Sequence, residues 1–204
     1  MIAIVDYGVG NLFSLEQSFR AIGAEVTVTA DPVVLEQADK ILLPGVGAFG
    51  DAAEKLRQSG LDKVVVALAK SGKPLLGICL GMQLLFDEGY EYGCHKGLGL
   101  IPGQVRPIAD VIDRELKIPH MGWNALQFTR DSKLFANIQD GDFVYFVHSY
   151  YATGCEADTI ATAEYGASLT AAVEKGNVFG CQFHPEKSGT VGLKILRAFS
   201  EMKV

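Results

Sequence analysis

Five residues, Gly77-Ile78-Cys79-Leu80-Gly81, join a short apolar run, Leu75 to Ile78, directly to a helical pattern running from Leu80 to about Asp87. A chain can pass from strand to helix without a loop only by turning sharply, and glycines on either side of the central residue permit that turn. The same strand-then-helix grammar recurs before it. Ile2 to Asp6 reads as a buried strand, and Asn11 opens a helix with Leu12, Leu15, Phe19 and Ile22 at helical spacing, stopped by Gly23. Glu25 to Thr29 and Ile41 to Leu43 read as further strands, and 51–58 and 61–70 as helices. Strands alternating with helices imply a parallel sheet covered on both faces. The second half differs. Residues 124–129, 142–151, 159–164, 168–174 and 177–183 read as strands joined by short turns, followed by a helix from about Gly189 to Met202. The expected fold class is α/β: a flavodoxin-like, open, mostly parallel sheet with helices on both faces and an antiparallel extension in the C-terminal half. With no repeat or linker, the 204 residues are expected to form a single domain, 1–204.

Composition narrows the function classes. The chain is 49% hydrophobic and carries a net charge of −6, which argues against disorder and against a general nucleic-acid or membrane-surface binder. No apolar run approaches the ~20 residues that span a bilayer. The N-terminus lacks the basic start of a secretory signal, so a cytoplasmic location is expected. Cys79, Cys94, Cys155 and Cys181 are far apart without a C-x-x-C, which excludes a zinc ribbon and makes disulfides unexpected in a reducing compartment. Neither a metal nor an organic cofactor is expected.

Cys79 occupies the central place of a G-x-nucleophile-x-G elbow, where a helix N-terminus favours thiolate. On the pentapeptide alone, a small buried cysteine at a strand end is an equal reading. A nucleophile needs a base, and His184 in Phe183-His184-Pro185-Glu186 follows the last expected strand. Proline keeps His184 extended, so Glu186, two positions on, can share its side. That supplies base and orienting carboxylate, Cys79–His184–Glu186. The oxyanion formed on carbonyl attack would be met by the backbone N–H of Leu80 and by N–H groups of the glycine-rich segment after the third strand, Pro44 to Gly50. A phosphate loop is the rival for that segment, but it lacks G-x-x-x-x-G-K-[ST].

PGVGAFG, GICLGMQLLF and FHPEKSG, in that order, resemble the triad (class I) glutamine amidotransferase family over nearly the whole chain. IVDYGVGNLFS, PHMGWN and YFVHSYY resemble the branch whose glutaminase serves a (β/α)8-barrel cyclase in histidine biosynthesis. The resemblance implies glutamine as substrate, Cys79 as nucleophile, His184 as acid and base, and Glu186 as its orienter. It implies an oxyanion hole from Val46, Gly47 and Leu80, and substrate contacts from Gly45, Gln83, His148, Ser149 and Tyr150. It also implies release of ammonia into a closed path toward the cyclase, bound in trans, since ~250 residues of barrel do not fit in this chain. Met121 and Trp123, in a Pro-flanked segment, are expected to face that partner, although a lone Trp is more often core. Other readings are a class I glutaminase for pyridoxal phosphate, anthranilate or purine synthesis, a cysteine peptidase or deglycase-like α/β protein, and a non-catalytic flavodoxin-like binding module.

Overall fold

The computed structural model describes residues 1–203. The first half runs β1 (Ile2–Val5), α1 (Leu12–Ala21), β2 (Val26–Thr29), α2 (Pro32–Gln37), β3 (Lys40–Leu43), α3 (Phe49–Gln58), α4 (Leu61–Lys70), β4 (Leu75–Ile78) and α5 (Leu80–Gln83). Short strands follow: β5 (Glu88–Gly89), β6 (His95–Lys96), β7 (Gln104–Pro107), β8 (His120–Ala125) and β9 (Gln127–Phe128). The rest comprises β10 (Phe143–His148), β11 (Tyr150–Thr153), β12 (Thr159–Glu164), β13 (Ser168–Lys175), β14 (Val178–Cys181) and α6 (Gly189–Glu201).

The main sheet has eight strands in the order β2-β1-β3-β4-β14-β13-β12-β9. The first five are parallel, and β13, β12 and β9 extend the sheet antiparallel. Strand alternation divides the core between two faces. Ala3 and Val5 of β1 pack with Leu56, Val65 and the α5 residues Leu80 and Met82, whereas Ile2 and Ile4 pack with Leu15, Phe19, Ile195 and Phe199 of α1 and α6. Helices thus cover both faces, as the alternating apolar runs predict. A two-stranded ribbon, β10-β8, and a small sheet, β11-β7-β5-β6, lie apart from the main sheet.

Several elements depart from the pattern read in the sequence, which also gave no strand where β5, β6 and β7 lie. Helix α2 carries a start signal that the reading passes over: Asp31 accepts from the Val33 N–H and Pro32 stands in the first turn. The helix after Cys79 ends at Gln83 rather than about Asp87. The carbonyls of Leu84, Leu85 and Phe86 are taken by the N–H groups of Leu98, Leu100 and Gly99, so the loop captures acceptors that a longer helix would leave to itself. The expected strand 142–151 breaks at Ser149 into β10 and β11, which join different sheets. The expected strand 124–129 begins earlier, at His120, and is split between β8 and β9.

Candidate active site

The geometry begins at the end of β4. Cys79 has φ 54° and ψ −114°, a conformation strained for any residue with a Cβ. Its N–H bonds the Cys181 carbonyl at 2.7 Å, which ties the end of β4 to the end of β14. Close packing holds the turn. A Cβ on Gly81 would lie 1.9 Å from the Leu43 carbonyl oxygen, and one on Gly77 would lie 2.7 Å from the Gly81 carbonyl oxygen. Glycine is required at both positions by backbone contact.

β14 delivers the histidine. It lies parallel to β4, with Cys181 opposite Ile78, so the residues that follow the two strands emerge side by side. The His184 N–H bonds the Tyr145 carbonyl at 3.0 Å, and Ser188 Oγ donates to the His184 carbonyl at 2.7 Å while accepting from the Tyr145 N–H at 3.0 Å. The main chain of His184 is therefore held by β10 as well as by its own chain. His184 Nδ1 lies 2.7 Å from Glu186 Oε1, and both side chains are almost fully buried. Glu186 Oε2 is buried with no hydrogen-bond partner. Burial by itself would lower the imidazole pKa, but hydrogen bonding to Cys79 and Glu186, with their negative charge, outweighs it and pushes His184 up to about 10. The site favours an imidazolium beside the sulfur.

The pair opens onto a cavity of about 350 Å³, within the ~300–1,000 Å³ usual for small-molecule sites. Its lining brings together Val46, Gly47, Cys79, Leu80, Gln83, His148, Ser149, Tyr150 and His184, which the sequence places far apart. Gly45 is not in the lining. It is buried beneath, where a Cβ would lie 2.7 Å from the Gly81 nitrogen, so it seats the loop against α5 instead of facing the cavity. Gly47 has φ 93°, left-handed backbone that glycine adopts without Cβ strain. Leu80, as the first residue of α5, has no intrahelical partner for its N–H. Gln83 Nε2 donates to the Tyr150 carbonyl at 3.2 Å and to Gln182 Oε1 at 2.9 Å. With both amide hydrogens engaged, only its oxygen remains for a ligand.

His148 looks away from the cavity as well as into it. Its Nδ1 lies 2.8 Å from the Tyr150 carbonyl and its Nε2 lies 3.0 Å from His120 Nδ1. His120 is buried and stacks between Phe146 and Tyr165, with its Nε2 2.8 Å from Asn124 Oδ1. Burial drives His148 down to about 3, so it is neutral at pH 7 and donates from Nδ1. Met121 and Trp123, also on β8, point outward at 60% and 52% exposure. The Trp is not core.

Sequence reading missed Glu91 and Lys187, which also line the cavity. Glu91 Oε2 accepts from the Phe49 N–H at 2.7 Å, at the start of α3. No local motif marks it, because the contact spans 42 residues. Lys187 directly follows Glu186, and its place after His-Pro-Glu was the available signal. Among the described residues, no group of three or more His, Cys, Asp or Glu is arranged to hold a metal ion, and no helix is long and apolar enough to cross a membrane.

A cysteine in a strained strand-to-helix turn, a buried His–Glu pair and the match of residues 3–202 to the family model "Glutamine amidotransferase class-I" place this chain in the class I glutamine amidotransferase family. Among its relatives, the imidazole glycerol phosphate synthase subunit HisH of Bacillus licheniformis is 51% identical over 204 residues, covering 98% of this chain and 96% of the relative. The protein of the same description from Syntrophotalea carbinolica is 48% identical, covering 99% of this chain and all of its own. Of the solved structures, PurLQS from Thermotoga maritima superposes with a TM-score of 0.75 at 21% identity, covering 97% of this chain and 96% of that one, which is a likeness of fold.

Proposed function

We propose that this chain is the glutaminase subunit of an imidazole glycerol phosphate synthase, acting as one domain over its whole length in the cytoplasm. The observation that carries the reading is the buried His184–Glu186 pair beside Cys79 in the lining of the cavity, in a chain about half identical to full-length HisH proteins. Four free cysteines accord with a reducing compartment.

The chemistry follows from the charges. The Cys79 thiolate attacks the side-chain carbonyl carbon of glutamine. The oxygen becomes anionic and is met by the N–H groups of Leu80 and of the Val46–Gly47 segment. His184, protonated and held by Glu186, gives its proton to the departing nitrogen as the C–N bond breaks, releasing ammonia and leaving a γ-glutamyl thioester. His184, now neutral, takes a proton from water, whose oxygen attacks the thioester. The C–S bond breaks, glutamate leaves and the thiolate returns beside an imidazolium. Glu91 supplies negative charge to the cavity wall, suited to the α-ammonium of an amino acid, and the free Gln83 oxygen can accept from the same group.

Ammonia is nucleophilic only when unprotonated, so it has to reach its acceptor without passing through bulk water. A (β/α)8-barrel cyclase supplies that acceptor site, consuming a phosphorylated ribulose-type ribonucleotide and forming imidazole glycerol phosphate and AICAR. The β8–β10 ribbon is suited to receive it. Met121 pairs with Val147 and Trp123 with Tyr145, so one face of the ribbon carries an apolar stripe that runs to Val147 in the cavity wall. Trp123 meets Tyr145 edge-on at 6.0 Å.

Co-expression with the cyclase tests the reading. Purified complex is expected to cyclise with glutamine. Cys79→Ala is expected to abolish the glutamine-dependent reaction and to leave cyclisation with added ammonium salt. Failure to co-purify, or glutamine-dependent cyclisation that survives Cys79→Ala, would overturn it. A class I glutaminase of another pathway would hydrolyse glutamine without supporting cyclisation, and a peptidase would form no γ-glutamyl thioester on Cys79.

A further inference from the structure

Gln182 is fully buried between β14 and the catalytic histidine. Its Nε2 lies 3.8 Å from Cys79 Sγ, and its Oε1 accepts from Gln83 Nε2 at 2.9 Å. Gln83 Nε2 in turn donates to the Tyr150 main-chain carbonyl at 3.2 Å, which also accepts from His148 Nδ1 at 2.8 Å.

The polarity of this chain is fixed at one end. A backbone carbonyl only accepts, so Gln83 has to present its NH₂ to Tyr150. That same NH₂ has to meet an acceptor, so Gln182 presents its oxygen to Gln83. Its own NH₂ is then aimed at the sulfur. Reversing either amide would set oxygen against oxygen or hydrogen against hydrogen in a buried place. A neutral thiol can donate to an amide oxygen, whereas a thiolate only accepts. The array offers Cys79 an N–H and withholds the oxygen.

We propose that Gln182 is a hydrogen-bond donor to the Cys79 thiolate, oriented by Gln83 and the Tyr150 carbonyl, and that this array selects the anionic nucleophile over the thiol. It acts alongside His184 on the opposite partner of the ion pair. The inference rests on the glutaminase reading for its purpose, but its physical content, which protonation state of Cys79 the array favours, can be read without glutamine.

The test is the pH dependence of Cys79 alkylation by iodoacetamide in the full chain. Cys94, the exposed cysteine, is changed to serine, and the Cys79 peptide is followed by mass spectrometry. Gln182→Met keeps the volume and removes the donor, Gln182→Glu keeps the acceptor for Gln83 and replaces the donor by oxygen, and Gln83→Met leaves Gln182 unanchored without touching the sulfur. The midpoint of the alkylation profile is expected to rise by about one pH unit in both Gln182 variants, with about tenfold slower alkylation near neutrality. A smaller shift in the same direction is expected for Gln83→Met. Glutamine turnover by the Gln182 variants is expected to lose kcat with KM changed less than about twofold. Profiles that superimpose on wild type in any variant with an unchanged melting temperature would overturn the proposal. Wild-type chain that alkylates at Cys79 yet hydrolyses no glutamine, alone or with the cyclase, would instead overturn the glutaminase reading and leave the donor effect measurable.

Discussion

At the scale of single residues, the backbone strain at Cys79 is held by contacts that tolerate no added atom. Gly81→Ala would drive a methyl into the Leu43 carbonyl at 1.9 Å. The expected result is a loss of at least the 1–3 kcal/mol (roughly) typical of overpacking, measured by urea denaturation, together with loss of glutaminase activity. Two buried histidines predict opposite responses to pH. His184 is raised to about 10, so the stability it contributes is complete below its unfolded value near 6.5 and falls away as pH climbs toward 10. His148 is lowered to about 3, so its contribution is complete above about 6.5 and fades as pH drops toward 3. Melting temperature against pH is therefore expected to fall on both flanks. His184→Ala should flatten the alkaline flank alone, and a slope unchanged in that variant would refute the assignment. The residues legible in the sequence were those with a local mark: a cysteine between glycines, a histidine before proline with a carboxylate two places on. Glu91 and Gln182 gave no such mark. Their partners lie 42 and about a hundred residues away, and only folding introduces them.

At the scale of elements, the β8–β10 ribbon connects an outward apolar face to the cavity wall. Six pairs hold it, and the buried His120 and His148 stand opposite one another at its inner end. Trp123→Ala removes an exposed ring, so the free chain's stability should change by no more than about 0.5 kcal/mol. Cyclase affinity should weaken by about 2 kcal/mol or more, roughly thirtyfold, read by titration calorimetry. Equal affinities would show that this face is not the interface. The ribbon also marks where pattern reading failed. Residues 142–151 alternate as one strand should, and nothing in that alternation announces the break at Ser149. The break is tertiary in origin: the Ser149 carbonyl accepts from Ile108 and the Tyr150 carbonyl from His148 and Gln83, so the chain leaves one sheet for another.

At the scale of the whole molecule, the parallel half was legible because buried parallel strands read as plain apolar runs such as IAIV and LLGI. The position of β14 was not legible. By sequence it belongs with the antiparallel strands before it, yet it also pairs parallel with β4 at the centre of the sheet. Removing residues 177–204 should therefore expose the edges of both β4 and β13. The fragment is expected to lack a cooperative melting transition and to aggregate, as followed by circular dichroism and light scattering. A soluble fragment melting cooperatively would show that the two halves are less dependent on each other than the strand order implies.

That strand order also sets a schedule for biosynthesis. A ribosome completes the sulfur-bearing turn about a hundred residues before it makes the strand that will lie next to it, and the imidazole follows directly after that strand. On the proposed mechanism the thiol has no proton-transfer partner until then, so a polypeptide interrupted before His184 is expected to hydrolyse no glutamine. Release of ammonia by the proposed route therefore waits on the making of β14 and the residues that directly follow it.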